Sequence, residues 1–244
     1  MTATYYERQL AGDAYRVSRE RRAALIFALC GERLATARRV VDLGAGTGII
    51  KKALEARAGR PIVGFDIDRG FMTEIERMAV ADLERLPLRD GTIDFGIANH
   101  VYEHVADLNR FFSELRRVLE PAGAVYLTAG NRFALLEPHY RIPTLSWWPE
   151  PIASRLLKWS GRGERYDDIR FATHRQLTAA AGRHGLTLQD LTDHVLRTQL
   201  GRYESRGGRV LARAAGVLPN SIRRRLLSFV SPQWFFLVRH AGAT

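Results

Sequence analysis

Residues 40–48 read Val-Val-Asp-Leu-Gly-Ala-Gly-Thr-Gly, and this stretch decides how the rest of the chain is interpreted. A buried strand is predicted over 39–43, because an apolar run there ends at a glycine. Gly44, Gly46 and Gly48 permit a tight turn and place no side chain between the main chain and a ligand. A ligand can therefore lie against this backbone and against the N-terminus of the following helix.

Predicted strands and helices alternate along most of the chain. Helices are predicted at 16–34, 47–58, from Phe71 through Met78, at 108–119, where Pro121-Ala-Gly123 stops the helix, and at 176–184. Strands are predicted at 39–43, 61–65, 93–98, 124–128, 186–191 and 234–239. Alternation with short connections predicts an α/β fold with a mainly parallel sheet. Because no Pro/Gly/Ser-rich linker divides the 244 residues, we expect a single domain over 1–244.

Composition excludes several classes of protein. With 46% hydrophobic and 26% charged residues, the chain can bury a core and is not disordered. The single Cys30 excludes a disulfide framework and fits a reducing compartment. The sequence shows no secretory signal and no apolar run of about 18 residues that would span a bilayer. We therefore expect a cytoplasmic protein, either soluble or peripheral at the inner membrane face.

An acid follows the second predicted strand. Asp66 lies eighteen residues after Gly48, where a carboxylate can accept hydrogen bonds from both hydroxyls of a ribose. The spacing is Gly-x-Gly-x-Gly, whereas dinucleotide enzymes carry Gly-x-Gly-x-x-Gly, so a nicotinamide oxidoreductase is disfavoured. An ordinary tight turn without a ligand is the alternative for the glycines alone.

These motifs, in this order, resemble those of the class I S-adenosylmethionine-dependent methyltransferases, particularly the small-molecule and lipid group that includes quinone-biosynthesis enzymes. The resemblance covers residues 38–130. It rests on 40–48 and Asp66, and on the further segments Ala81-Asp-Leu83 with Leu86-Pro-Leu88, Asp90-Gly-Thr-Ile-Asp-Phe95 and Leu119-Glu-Pro-Ala-Gly123. Glu120 and Ala122 depart from the usual Leu-Lys-Pro-Gly-Gly turn.

The resemblance implies a Rossmann-like sheet of seven strands in the order 3-2-1-4-5-7-6, with the last strand antiparallel and helices on both faces. It implies S-adenosylmethionine as methyl donor, S-adenosylhomocysteine as product, and no metal. Asp42 would orient the methionine end of the donor. The residues that would hold the donor are Asp42, Gly44, Ala45, Gly46, Gly48, Asp66, Ile67, Asp82, Leu83 and Asn99.

The stretch Asn99-His-Val-Tyr-Glu-His104 follows the fourth predicted strand. His100 and His104 are candidate general bases, because an imidazole can take a hydroxyl proton near neutral pH. They could instead only cap the next helix or bond to the backbone. The pattern His-x-x-Glu-His also matches an inverted zinc-protease signature, but it follows a strand end and does not lie within a predicted helix. Asp/Asn-Pro-Pro-Tyr, typical of many enzymes that methylate nucleic-acid amines, is absent here.

Residues 131–172 form an insertion that we expect on the acceptor side of the sheet, since ligands bind at the carboxyl ends of the strands. His139 is a third candidate base. The candidate acceptor-binding residues are Tyr102, Asn131, Tyr140, Trp147 and Trp148. The tryptophans could equally well only attach the insertion to the body of the protein.

A basic amphipathic insertion is predicted over 195–231. The formal net charge is +11, and from Val195 onward nine arginines face one acid, Glu204. Arginines and apolar residues fall on opposite faces of a helix there, which favours an anionic membrane surface as partner of 206–230. Nucleic acid is less favoured, because no stacking aromatics are interleaved with the arginines. A solvated face is the third interpretation.

Together these observations predict S-adenosylmethionine-dependent methyl transfer to a hydrophobic or lipid-linked small-molecule acceptor, at oxygen in preference to carbon or nitrogen. Two alternatives remain open. One is an RNA methyltransferase that uses the basic tail, and the other is a noncatalytic module that binds the donor.

Overall fold

The computed structural model describes residues 12–198 and 219–242. The strands are β1 Val40–Leu43, β2 Ile62–Asp66, β3 Met78–Val80, β4 Ile93–Asn99, β5 Leu119–Gly130, β6 Leu186–Asp190 and β7 Gln233–His240. The helices are α1 Asp13–Thr36, α2 Ile49–Ala58, α3 Leu108–Val118, α4 Glu150–Trp159, α5 His174–Arg183, α6 Thr192–Thr198 and α7 Asn220–Val230. Short 3-10 turns span Arg69–Phe71, Tyr102–His104 and Leu145–Trp147.

The strands form one sheet in the order β3-β2-β1-β4-β5-β7-β6, which confirms the predicted topology. The strands β1 to β5 pair in parallel, whereas β7 runs antiparallel to both β5 and β6. All four residues of β1 are buried, as expected for a central strand covered on both faces. The carboxyl ends of β1, β2, β4 and β5 therefore meet along one edge of the sheet.

Local sequence explains where two of the covering helices begin. At the start of α3 the Asp107 side chain accepts hydrogen bonds from the backbone N–H groups of Asn109 and Arg110. At the start of α5, Thr173 and Gln176 form a reciprocal capping box. Both helices pack on the same face of the sheet, where their apolar residues join one core.

The structure corrects two predicted elements. The segment from Phe71 through Met78 is not a helix, because Asp68 caps a single 3-10 turn and Met78 already pairs with Gly64 in β3. The helix before Pro121 ends earlier than predicted, at Val118. Leu119 is extended and pairs with Ile93, so the Pro-Ala-Gly segment lies within β5 beside an irregularity in register.

The insertion over 131–172 has a small core of its own. Its buried residues are Tyr140, Leu145, Ala153, Leu157, Tyr166 and Ile169. The last residues of the insertion are tied to the 3-10 turn after β4, because Arg170 N donates to Glu103 O at 2.7 Å and Ala172 N donates to the Tyr102 hydroxyl at 3.1 Å. The insertion is thus fixed beside the carboxyl end of β4.

Helix α7 lies between α6 and β7 in sequence and is anchored at both ends. The buried Arg223 side chain pairs with Asp193 of α6, with Nε 2.6 Å from Oδ1. The Asn131 amide donates to the carbonyl oxygens of Phe229 and Ser231. Residues 199–218 of the predicted basic insertion, including Arg206, Arg209 and Arg213, lie outside the described residues. None of the helices in 12–198 and 219–242 has the length and apolar character needed to cross a bilayer.

Candidate functional site

The glycine turn after β1 is held against the end of β2 by backbone hydrogen bonds. The N–H groups of Gly44 and Ala45 both donate to Phe65 O, at 2.8 and 2.9 Å. The next N–H group, of Gly46, donates to Asp66 Oδ2 at 2.7 Å. This places the Asp66 carboxylate directly beside bare main chain, which is the arrangement a bound nucleoside needs.

The glycines of this turn are required for two different reasons. All three have positive φ, +72° at Gly44, +53° at Gly46 and +78° at Gly48. A Cβ on Gly44 would lie 2.3 Å from Val101 Cγ2, and one on Gly48 would lie 2.8 Å from Glu74 O. At Gly46, in contrast, no described atom lies within 4 Å of the Cβ position, so open space adjoins the main chain there.

Asp42 is a buried carboxylate beneath the turn. Its Oδ2 has no hydrogen-bond partner among the described residues. Burial raises the pKa of Asp42 to about 7, and the nearby Lys51 opposes this shift in part. A buried oxygen without a donor is suited to receive a positively charged amino group, directly or through water.

The other predicted donor contacts lie along the same edge. Ile67 is exposed immediately after Asp66, and Leu83 is buried with its Cδ1 3.7 Å from the Cβ position of Gly44. Asp82 is exposed, with Oδ1 accepting from Glu84 N, and Asn99 Oδ1 accepts from the Thr128 hydroxyl. With the open space at Gly46 and the unpartnered Asp42 oxygen, these residues fit an adenosyl donor that carries a charged amino acid end.

The three candidate bases come together although His139 lies more than thirty residues from the other two. The rings of His104 and His139 pack edge to face with centroids 5.3 Å apart. His100 Nδ1 lies 3.1 Å from Oε1 of Glu103, which is fully buried. His139 Nδ1 lies 2.8 Å from Oε1 of Glu137, which is also fully buried. The structure thus gives two of the imidazoles a carboxylate partner.

The charges of His100 and Glu103 follow from burial and from this hydrogen bond. Burial lowers the pKa of His100 more than Glu103 raises it, so the ring is neutral near pH 7. Burial also opposes ionisation of Glu103, but the hydrogen bond from His100 and the three surrounding imidazoles bring the pKa of Glu103 below its usual value. A neutral ring that donates Nδ1–H to a carboxylate presents Nε2 as a proton acceptor.

His104 is the exposed member of the three. Its Nδ1 lies 3.3 Å from Asp168 O at the end of the insertion. The Tyr102–His104 turn is a single 3-10 turn, so the His-x-x-Glu-His pattern does not lie on an α-helix. Within the described part of the chain, no group of three or more His, Cys, Asp or Glu side chains is placed to hold a metal ion.

The predicted acceptor residues fall into two groups. Three are buried with their polar atoms engaged. Tyr102 OH donates to Gly130 O at 2.5 Å, the Asn131 amide holds the end of α7, and Tyr140 packs on Tyr166 inside the insertion. Burial raises the pKa of Tyr140 to about 12, so its hydroxyl stays protonated. Trp147 and Trp148 are instead partly exposed, and Trp147 Nε1 donates to Ala134 O.

A cavity of about 210 Å³ opens at the carboxyl end of β5. Among its lining residues are Asn131, Phe133, Arg175, Phe229 and Trp234. Its walls combine three aromatic rings with the polar side chains of Asn131 and Arg175.

Sequence reasoning did not assign Glu103, Glu137 or Phe133 to the site. The spacing of the two glutamates could have indicated carboxylate partners, since each lies two or three residues before or after a candidate histidine. Phe133 had none, because its role depends on contacts with Phe229 and Trp147, which the chain brings from other segments.

The strand order, the glycine turn and the acid after β2 are the features with which α/β enzymes bind a nucleoside at the carboxyl edge of the sheet. Residues 41–127 match the family described as "Methyltransferase domain". The malonyl-[acyl-carrier protein] O-methyltransferase of Geobacter sulfurreducens is 31% identical over 193 residues, 74% of this chain and 67% of that protein. The ubiquinone biosynthesis O-methyltransferase of Azorhizobium caulinodans is 27% identical over 179 residues, 68% of this chain and 65% of that protein.

The fold is also found in an S-adenosylmethionine dependent methyltransferase from Mesorhizobium loti, with a TM-score of 0.55, 14% sequence identity, and coverage of 88% of this chain and 98% of that one. The chain belongs to the class I S-adenosylmethionine-dependent methyltransferases. Its cofactor is S-adenosylmethionine, and the predicted resemblance is confirmed.

Proposed function

We propose that the enzyme methylates a hydroxyl or phenolic oxygen on a hydrophobic or lipid-linked small molecule. The observation that carries this proposal is the convergence of His100, His104 and His139 around Glu103 at the carboxyl end of β4. A hydroxyl must lose its proton as it is methylated, whereas a carboxylate is already deprotonated near neutral pH and an arylamine already carries a free lone pair. A cluster of imidazoles is therefore most useful for an oxygen acceptor with a high pKa.

We assign the role of base to His100. When bound, S-adenosylmethionine supplies an electrophilic methyl group on a sulfonium sulfur, held by the residues from Asp42 to Asn99 named above. His100 follows Asn99 at the end of β4, next to β1 and the glycine turn. It takes the hydroxyl proton at Nε2 while Glu103 holds Nδ1. His104 and His139 border the same space and orient the acceptor.

The hydrophobic nature of the acceptor is supported by the cavity at β5. Phe133, Phe229 and Trp234 supply apolar walls, and Trp147 and Trp148 lie on the same side of the insertion. Two relatives whose names include malonyl-[acyl-carrier protein] and ubiquinone biosynthesis are O-methyltransferases, which agrees with an oxygen acceptor on a carrier or a lipid. As a second partner we propose an anionic membrane surface through 206–230, where a lipid-linked acceptor would be found.

The test is methyl transfer from labelled S-adenosylmethionine to a matched pair of acceptors, 4-nonylphenol and 4-nonylaniline, and to a lipid extract. We expect the phenol to be methylated and the aniline to be poor. His100→Gln is expected to lower kcat about 10²- to 10⁴-fold, the range for a lost general base, with smaller losses for His104→Gln and His139→Gln. Asp66→Ala should instead weaken donor binding, because it removes the carboxylate beside Gly46.

The pH profile separates a base from a merely structural residue. The rate should fall as the pH is lowered through the pKa of His100, which burial places below its usual value. Glu103→Gln removes the negative charge that raises this pKa and weakens the hydrogen bond to Nδ1, so the acidic limb should move to still lower pH while the maximal rate falls. An unchanged profile, equal use of the aniline, or methylation of RNA in place of both small molecules contradicts the proposal.

A further inference from the structure

Exposed apolar side chains gather on two segments that are far apart in sequence. Most large apolar residues of the chain are buried, but Trp148 of the insertion is 47% exposed, and on α7 Ile222 is 55% and Phe229 61% exposed. Ile222, Leu226 and Phe229 are spaced by four and three residues, so they share one face of α7. We call the exposed apolar side chains of these two segments the apolar surface, formed by Leu135, Trp147, Trp148, Ile222, Leu226 and Phe229.

Ring contacts join the two segments. Phe133 packs against Phe229 with centroids 5.5 Å apart and against Trp147 with centroids 6.1 Å apart. Thr144 N donates to Leu135 O, which holds two segments of the insertion together at this place. The Asn131 amide fixes the last turn of α7. The apolar surface is therefore braced from beneath and does not depend on a single flexible loop.

Cationic side chains lie at two places on this surface. Helix α7 carries three arginines and no acid, and of these Arg225 is exposed. Arg175 lines the cavity that opens between Phe133 and Phe229, beside the N-terminus of α5. Arg175 forms no ion pair with a carboxylate within residues 12–198 and 219–242. Contiguous apolar residues beside cations are complementary to a bilayer with anionic headgroups.

We infer that the apolar surface docks on an anionic lipid bilayer, with Trp147 and Trp148 at the level of the headgroups and α7 lying along the interface. Indole rings prefer this level of a bilayer, and each nearby arginine adds electrostatic attraction. The inference rests on the proposed membrane partner and extends it from the tail to the insertion. Docking in this orientation places the mouth of the cavity against the bilayer, so a lipid-linked acceptor enters without crossing water.

The test is co-sedimentation of the full chain with vesicles of phosphatidylcholine alone or with roughly 30% phosphatidylglycerol, at low and high salt. We expect binding to the anionic vesicles and little to the neutral ones. Ile222→Ser should weaken binding about tenfold, because an isoleucine buried in the interface is lost, and Arg225→Gln about fivefold. The matched control is Ile75→Ser, since Ile75 is equally apolar and 70% exposed but precedes β3 at the opposite end of the sheet.

A second readout follows the insertion. Trp159→Phe removes the exposed indole at the end of α4, so quenching by anionic lipids with brominated chains then reports Trp147 and Trp148. We expect strong quenching. The inference is overturned if quenching is absent, if Ile75→Ser weakens binding as much as Ile222→Ser, or if light scattering shows that Ile222→Ser instead breaks a dimer. Turnover of 4-nonylphenol in detergent needs no vesicle, so its loss would contradict the proposed function and not this surface.

Discussion

The proposed donor half, residues 38–99, and the proposed acceptor side, residues 100–104 and 131–172 with α7, meet along one edge of the sheet but are built from different groups. The donor half lines its proposed ligand space with main chain, since the glycine turn has no side chains at these positions and the space beside Gly46 is open. The acceptor side uses side chains, namely aromatic rings, imidazoles and two fully buried glutamates. We therefore expect single substitutions to cause larger losses of stability or binding in the donor half than on the acceptor side.

The largest effect is expected for Gly44→Ala. Its Cβ would lie 2.3 Å from Val101 Cγ2 at a φ of +72°, so both a clash and backbone strain arise. We expect a loss of about 2–5 kcal/mol in the free energy of unfolding, measured by chemical denaturation.

Gly46→Ala is the matched control, because φ is also positive but the Cβ position is open. It should cost only about 1–2 kcal/mol of stability while it weakens S-adenosylmethionine binding, since the methyl group enters the ligand space. If the two variants lose equal stability, Gly44 and Gly46 do not have the separate roles, packing and ligand binding, that are proposed for them.

Asp42→Asn should stabilise the ligand-free protein at high pH. Because the pKa of Asp42 is raised from 3.8 to about 7, the folded protein retains a proton that the unfolded chain releases between these values. The free energy of unfolding therefore falls as pH rises from about 4 to about 7, and the asparagine removes this fall, a gain of up to ~4 kcal/mol at pH 8.

Thermal unfolding with and without S-adenosylmethionine, at pH 4 and pH 8, measures this difference. The two proteins should differ little in stability at pH 4, where Asp42 is protonated in the folded state and only about half ionised in the unfolded state. The variant should also gain less from the donor, because a neutral amide pairs weakly with an ammonium group. A variant that is less stable at pH 8 would mean that Asp42 has a donor partner in the free protein.

The contrast between the two halves also decides what the sequence could predict. The donor half follows from local patterns, since apolar runs, glycines and the acids Asp42 and Asp66 fix strands and turns within a few residues of themselves. The strand β3 was missed because Phe71, Ile75 and Met78 repeat at helical spacing, although Ile75 is exposed and only three residues pair with β2.

On the acceptor side the sequence predicted the residue types but not their neighbours. His139 and Glu103 were visible as motifs, but their proximity depends on how the insertion returns to the turn after β4 at Arg170 and Ala172. Long-range contacts of this kind carry no local periodicity. The same holds for Phe133 and Phe229, which are separated by nearly a hundred residues.

Tyr102→Phe tests whether a predicted acceptor contact belongs to the framework. Its hydroxyl donates to Gly130 O and accepts from Ala172 N, and both partners are buried with it. We expect the variant to lose about 1–3 kcal/mol of stability, because two backbone groups lose their partner. The KM for 4-nonylphenol and kcat should change little. A raised KM with unchanged stability would indicate that Tyr102 contacts the acceptor.

The smallest effect is expected for Phe133→Leu, which keeps apolar volume but removes the ring that joins Phe229 to Trp147. Aromatic pairs contribute about 0.5–1.5 kcal/mol beyond burial, so the KM for a long-chain phenol should rise roughly 2- to 10-fold with kcat unchanged. The control is phenol without a chain, whose KM should not move, because only a long acceptor reaches the cavity at β5. If both acceptors lose affinity alike, Phe133 acts on the histidine cluster, and the division of the acceptor side into a reacting end and an apolar end is wrong.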